Sequence, residues 1–165
     1  MSGYVLKWVG ALLVAAAIVF ASREYSRYAK RRISECESFL SLLRHVKGEI
    51  NRFLSTPSAI FKSYSDENLE RVGFLALQRE GKSLYECFEG CRCRLSIPER
   101  IKDKLSRFFY GFGENYKDGE ISRTEYYIDE IEPLLREEWE ALPDRIKLVR
   151  TLAAAISLGL IILVL

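Results

Sequence analysis

The chain has 165 residues, with 25 Lys and Arg against 23 Asp and Glu, a formal net charge of +2 and 48% hydrophobic residues. So even a balance gives no case for nucleic acid, which needs a net basic surface with base-reading or stacking residues. The apolar residues gather at both ends and leave the charge to the middle, which excludes a freely diffusing enzyme as the default reading.

Tyr4 to Ser22 is almost unbroken apolar sequence. A spanning helix needs about 20 apolar residues to cross roughly 30 Å of hydrocarbon. The segment meets this if it begins near Gly3, with Lys7 snorkelling back to the headgroups. Tyr4, Trp8, Tyr25 and Tyr28 fall where interfacial rings are favoured. The competing reading is a cleaved secretory signal, since Val19-Phe20-Ala21 has the small-residue spacing of a cleavage site. Against it stands the basic cluster Arg23, Arg27, Lys30, Arg31 and Arg32 directly behind the apolar run, which resists translocation and orients the helix. The same cluster is a candidate for contact with anionic lipid.

Beyond Arg23, apolar residues recur at Cys36, Phe39, Leu40, Leu43, Val46, Ile50, Phe53 and Leu54, which is the three-and-four spacing of one helix face. Nothing breaks the chain before Ser55, so the membrane helix is expected to run on into the domain. His45 sits on the flank of that stripe. Ser55-Thr56-Pro57-Ser58 should end the helix, because Pro57 disfavours helical geometry just before itself. A short helix with Ala59, Ile60 and Phe61 follows, and another runs from Ser65 through Asn68 and Leu69 to near Arg79. Gly81 closes that turn, and Ser83 caps a helix with Leu84, Tyr85, Cys87 and Phe88. Ser96, Pro98 and Glu99 mark the next start, leading to Ile101, Leu105, Phe108 and Phe109.

Gly111, Gly113 and Gly119 mark a loop, too sparse for a phosphate-binding fingerprint. The last long helix is expected from near Ser122, with Tyr127, Ile128, Ile131, Leu134, Leu135, Trp139 and Leu142 as its apolar stripe. Pro133 should kink it or mark a break, and Pro143-Asp144 should mark a second break before the membrane. Thr151 to Leu165 is again apolar. Only about 15 residues follow Arg150, so this segment spans if the helix starts near Ile146 or the bilayer thins locally. Arg145, Lys147 and Arg150 precede it, so both membrane ends of the central region are basic. The central domain is therefore expected in the cytoplasm, with both termini near the far surface. Strand signals are nearly absent. The expected fold is all-α: an antiparallel helical bundle whose first and last helices continue as transmembrane helices, divided as 1–22, 23–147 and 148–165.

Two features of the middle bear on chemistry. Cys87-Phe-Glu-Gly-Cys91-Arg-Cys93 has C-x3-C-x-C spacing, unlike the paired knuckles of a structural zinc site. With Cys36 these residues read as small buried thiols, and no catalytic, cofactor-binding or metal residues are assigned. From Glu114 to Asp144 there are eleven acidic residues against three basic. With the apolar stripe turned to the core, Glu125, Asp129, Glu130, Glu132, Glu137 and Glu140 are left as a candidate partner face.

The order of these signals is distinctive. A terminal span with a basic exit leads to a long helix, then to Leu54-Ser55-Thr56-Pro57-Ser58-Ala59-Ile60-Phe61, Gly81-Lys82-Ser83-Leu84-Tyr85-Glu86-Cys87-Phe88 and the loop Gly111-Phe112-Gly113-Glu114. An acidic helix then ends in an apolar segment. The chain resembles the stage III sporulation protein AB family of endospore-forming bacteria, and through it the F domain of type II secretion platform proteins. The resemblance implies a cell-membrane protein with two spans, placed on the mother-cell side of the outer forespore membrane. It also implies a complex with a cytoplasmic secretion-type ATPase and membrane ring proteins. Self-association is a further option. The expected function is thus non-enzymatic: a membrane-anchored assembly or coupling component of a sporulation secretion-like complex between mother cell and forespore. The alternatives are a membrane-tethered thiol or metal-dependent sensor or enzyme built on Cys87, Cys91 and Cys93, and a lipid-binding stress protein with no fixed partner.

Overall fold

In the computed structural model, which describes residues 2–52, 60–61 and 64–164, all regular structure among those residues is helical. Helix α1 is Ser2–Arg52, α2 Glu67–Val72, α3 Phe74–Arg79, α4 Leu84–Cys91, α5 Glu99–Tyr110 and α6 Lys117–Val164, with a 3₁₀ turn at Arg92–Arg94. As the spacing predicts, α1 runs without interruption from the apolar terminus into the polar region. The expected break at Ser55-Thr56-Pro57-Ser58, with Phe53, Leu54 and Ala59 beside it, lies outside the described residues. Ile60 and Phe61 are helical and buried.

By internal contacts the chain divides into two units, Met1–Lys30 with Trp139–Leu165, and Arg31–Glu138. In the first unit, large apolar side chains face outward: Leu12 is 69% exposed, and Leu13, Phe20, Leu158 and Ile162 are similarly open. Among its described residues Ser22, Ser26, Ala29 and Ala153 are buried. The hydroxyls of Ser26, Thr151 and Ser157 donate to the carbonyls of Ser22, Lys147 and Ala153, at 2.7–2.9 Å. Such bonding back along the helix satisfies a polar group without water. Among the described residues one stretch, within Trp8–Ile50, is long and apolar enough to cross a membrane by length and composition.

The second unit is built around phenylalanine. Phe39 of α1 meets Phe74 of α3 and Phe88 of α4 edge to face, at 5.5 and 5.6 Å between centroids, and Phe109 of α5 at 6.2 Å. Phe109 in turn lies 5.4 Å from both Phe74 and Phe88. These separations suit the ring quadrupole, which favours edge contacts over flat stacking. Around them the α1 stripe Ile33, Cys36, Leu40, Leu43 and Val46 is buried, as are Leu69, Ile101 and Leu105. Ile50 is only half-buried, so the expected stripe fades there.

Four expectations are corrected. The helix expected from Ser65 to near Arg79 is two helices, because Gly73 adopts φ 90 and its N–H turns back to the Glu70 carbonyl. That left-handed geometry suits glycine alone without strain. The first of the two is capped by Asp66, whose carboxylate accepts from Leu69 N–H at 3.0 Å, and not by Ser65.

Ser96 does not cap α5; Pro98 holds the cap position and its carbonyl accepts from Ile101 and Lys102. The Ser96 N–H instead donates to Glu35 Oε2 at 2.7 Å, and Arg71 reaches the other oxygen at 3.3 Å. Glu35 is buried on α1, so one carboxylate ties α1 to α2 and to the α5 approach.

Helix α6 begins at Lys117 rather than near Ser122, placing Gly119 inside its first turn. Glu120 Oε1 accepts from the N–H and Nδ2 of Asn115 at 3.1 and 3.0 Å, which fixes this early start.

Neither Pro133 nor Pro143 ends α6. Both face solvent, where the carbonyl that loses its intrahelical partner can be hydrated. The α6 stripe is narrower than expected: Thr124, Ile128, Ile131 and Leu135 are buried, Tyr127, Leu134 and Leu142 are half-buried, and Trp139 is 53% exposed.

Truncating Phe39 removes the ring shared by three helices. Phe39→Ala should destabilise the protein by about 3–5 kcal/mol, while Phe39→Leu should cost roughly half as much. Denaturant unfolding followed by circular dichroism measures both; equal, sub-kilocalorie effects would remove Phe39 from the centre of the fold.

Candidate interaction surfaces

The acidic run on α6 is already engaged within the second unit. Glu125 receives Lys47 of α1 at 2.6 Å, and Glu132 receives Arg44 at 3.2 Å. Glu130 is paired with Lys104 of α5, and Glu137 with Arg100 at 3.1 Å. Residue numbers fall along α6 as they rise along α1 and α5, so α6 runs antiparallel to both. Each neighbour is served by two acids seven residues apart, one heptad along the helix surface. Asp129 and Glu140 are exposed, and among the described residues no ion pair reaches either. The six residues proposed from sequence as one partner face therefore divide into four that brace helices and two that do not. All four braces remain substantially open to solvent, where such a pair contributes about 0–1 kcal/mol.

The basic cluster also divides. Arg23, Arg27, Lys30 and Arg31 are exposed, and Arg27 pairs with Glu24 one turn away at 2.8 Å. Arg32 is half-buried and donates to Glu138 of α6 at 3.0 Å. At roughly 100° per residue, Arg32 lies on the opposite side of α1 from the other four, which is why it is drawn into the protein.

Arg123 was not singled out by sequence and holds more backbone than any neighbour. Its guanidinium donates to the carbonyls of Arg107, Phe108 and Gly111, and it lies 5.8 Å from the centre of the Tyr127 ring. A cation at the negative end of α5 satisfies carbonyls that have no intrahelical partner.

The cysteines do not converge. Cys36, Cys87 and Cys91 are buried and Cys93 is exposed on the 3₁₀ turn. Burial pushes the Cys36 and Cys91 thiols up to about 12 and the Cys87 thiol up to about 11. A nucleophilic cysteine acts as its thiolate, so burial disfavours the reactive form of these three. Among the described residues no three His, Cys, Asp or Glu side chains gather in a way that could hold a metal ion. His45 packs its ring 5.0 Å from Tyr64, with Nε2 buried and unpartnered.

One concavity was also missed from sequence. A groove of about 720 Å³ opens among α3, α4, α5 and Phe61, lined largely by aromatic side chains.

With the geometry in hand, comparison with known proteins is informative at the level of family. A family model described as stage III sporulation protein AB matches residues 7–165. The chain belongs to that family. Membership gives it a role in sporulation, and the apolar helix near its N-terminus points to membrane association. The match extends through both apolar segments and the whole helical region between them. No curated protein and no solved structure matches the chain.

Two outcomes are expected. Glu130→Lys with Glu137→Lys sets like charges against Lys104 and Arg100 and should lower stability by about 1–2 kcal/mol, with Lys104→Glu and Arg100→Glu restoring most of it. A double-mutant cycle on unfolding free energies would show no coupling if the pairs are irrelevant. For the thiols, alkylation of the native protein at pH 8 should label Cys93 alone. The raised thiols keep protons in the folded state that the unfolded chain releases around 9.0, so their contribution to stability should be constant below that pH and be lost as pH rises toward 12. Fast native labelling of Cys87 or Cys91 would contradict this burial.

Proposed function

We propose that this member of the stage III sporulation protein AB family is a non-enzymatic, membrane-anchored assembly or coupling component of a secretion-like complex between mother cell and forespore. The observation that carries this reading is the family match over residues 7–165, which takes in two outward-facing apolar segments and the charged helical region between them. In this reading α1 and α6 each cross the membrane, and the helices between them form an antiparallel bundle in the cytoplasm. Arg23, Arg27, Lys30 and Arg31 at one crossing, with Arg145, Lys147 and Arg150 at the other, favour that orientation. The four exposed cations on α1 are also placed to rest on an anionic leaflet, each contributing about 1 kcal/mol near the surface. The partners are a cytoplasmic secretion-type ATPase and membrane ring proteins, with the relation to the type II secretion F domain as the reason to expect them.

The thiol-enzyme reading has less to support it, because burial raises the Cys87 and Cys91 thiols and so disfavours the reactive thiolate. Replacing Cys87, Cys91 and Cys93 together by Ser separates the two: an assembly protein keeps its function with modest packing losses, and a thiol enzyme loses it altogether.

Topology is the direct test. A reporter active only in the cytoplasm, inserted after Gly119 in the full chain, should be active, and one active only outside should be silent. The reverse pattern would put the helical region on the far side of the membrane and end the ATPase-side reading.

A further inference from the structure

The groove among α3, α4 and α5 is assigned by neither the family nor the charge pattern, and its lining is uneven in a way that selects a ligand. Its floor is Phe61, Phe109 and Phe112; Phe61 and Phe112 meet edge to face at 6.1 Å, and Phe109 is continuous with the Phe39 cluster. At its lip Tyr85 and Tyr110 stand edge to face at 5.3 Å, and Tyr110 is 72% exposed. The charged residues in the lining are Arg79 and Lys82, both cationic. A volume of about 720 Å³ is ample for one or two large side chains of a docked peptide.

Arg79 is held by Glu70 at 2.6 Å, whereas the one ion pair of Lys82 among the described residues is with its near neighbour Glu80, at 3.3 Å and about half-exposed, with the Glu86 carboxylate also within its field. An exposed pair of this kind contributes little, so a carboxylate from outside can take Lys82 at small cost. The N–H groups opening α4 are not part of the site, because Ser83 and Glu86 form a closed capping box there. An apolar floor and an aromatic lip have the composition of an interface centre, and a charged residue such as Lys82 belongs to its polar rim.

We propose that this groove docks an acidic segment of a protein partner, seating an aromatic or aliphatic anchor on Phe61, Phe109 and Phe112 and a carboxylate on Lys82. The proposal rests on the reading of the chain as an assembly component and names the chemistry by which one partner is recognised. Neither Tyr110 nor Lys82 takes part in the core or in the α6 ion pairs, so both can be changed without unfolding the protein.

The test uses the full chain in detergent micelles and fluorescent peptides carrying a central Trp-Leu pair flanked by aspartates, with a lysine-flanked version and a version lacking the apolar pair. The acidic peptide should bind saturably, and Lys82→Glu and Tyr110→Ala should each weaken it roughly tenfold while helicity by circular dichroism is unchanged. Loss of binding for both comparison peptides completes the expected pattern. Equal binding of the acidic and lysine-flanked peptides, no saturable binding of the acidic one, or indifference to both substitutions would overturn the proposal. Light scattering that shows dimers abolished by the same substitutions would assign the groove to a second copy, and would overturn it too. In sporulating cells the two readings separate. If the wild-type chain co-purifies with no protein, the assembly reading fails whatever the peptides do. If it co-purifies with partners that the doubly substituted chain retains in full, the groove proposal fails alone.

Discussion

Everything in the Arg31–Glu138 unit depends on one ring. Phe39 is the point at which α1, α3, α4 and α5 meet, and three of those contributions come from helices of twelve residues or fewer. Helices so short have little stability alone, since nucleation costs more than a few intrahelical bonds return. They persist because each lends one large apolar ring to a shared centre. The Glu35 carboxylate, buried next to that centre, then fixes direction by holding Arg71 and the Ser96 N–H. The rings supply the attraction and the carboxylate supplies orientation.

Much of the architecture could be read from sequence, because it rests on local rules. The uninterrupted α1, the Ser83 start of α4 and the buried face of α5 follow from periodicity and capping. The misreadings share a different origin. Gly73 sits in a sequence whose apolar spacing continues across it, from Leu69 and Val72 to Phe74 and Leu75, and only its positive φ separates two helices. Ser96 has the composition of a cap, but its N–H is taken by a carboxylate 61 positions earlier in the chain. Pro133 and Pro143 fall on the solvent side of α6, where the usual penalty is softened. In each case a contact or an exposure decides, and neither is encoded nearby.

The charged surfaces show the same limit. The acidic excess of α6 is plain from composition, and whether it is idle depends on what stands opposite. Glu125 and Glu132 face one basic neighbour, Glu130 and Glu137 another, and sequence does not state which helices are adjacent. Arg32 was open to a better reading, since its angular position already separates it from Arg23, Arg27, Lys30 and Arg31. The groove was beyond reach, because its lining is drawn from three stretches, Phe61, residues 78–85 and residues 109–112, that come together only in the fold.

The arrangement of ion pairs along α6 has a mechanical consequence. If α6 telescoped by one turn in one direction, Lys47 would keep an acid opposite it in Asp129, but Arg44 would face Arg136, Lys104 would face Leu134 and Arg100 would face Ala141. A turn in the other direction would bring Ile121 and Ile128 opposite Lys47 and Arg44, and Tyr126 and Pro133 opposite Lys104 and Arg100. Either displacement strands several charges at once, although each pair alone is weak. One-turn ratchets between packed helices are a known way to carry a signal. Here the charge pattern disfavours that route, so within the Arg31–Glu138 unit the axial position of α6 against α1 and α5 is discrete, set by four weak pairs acting together.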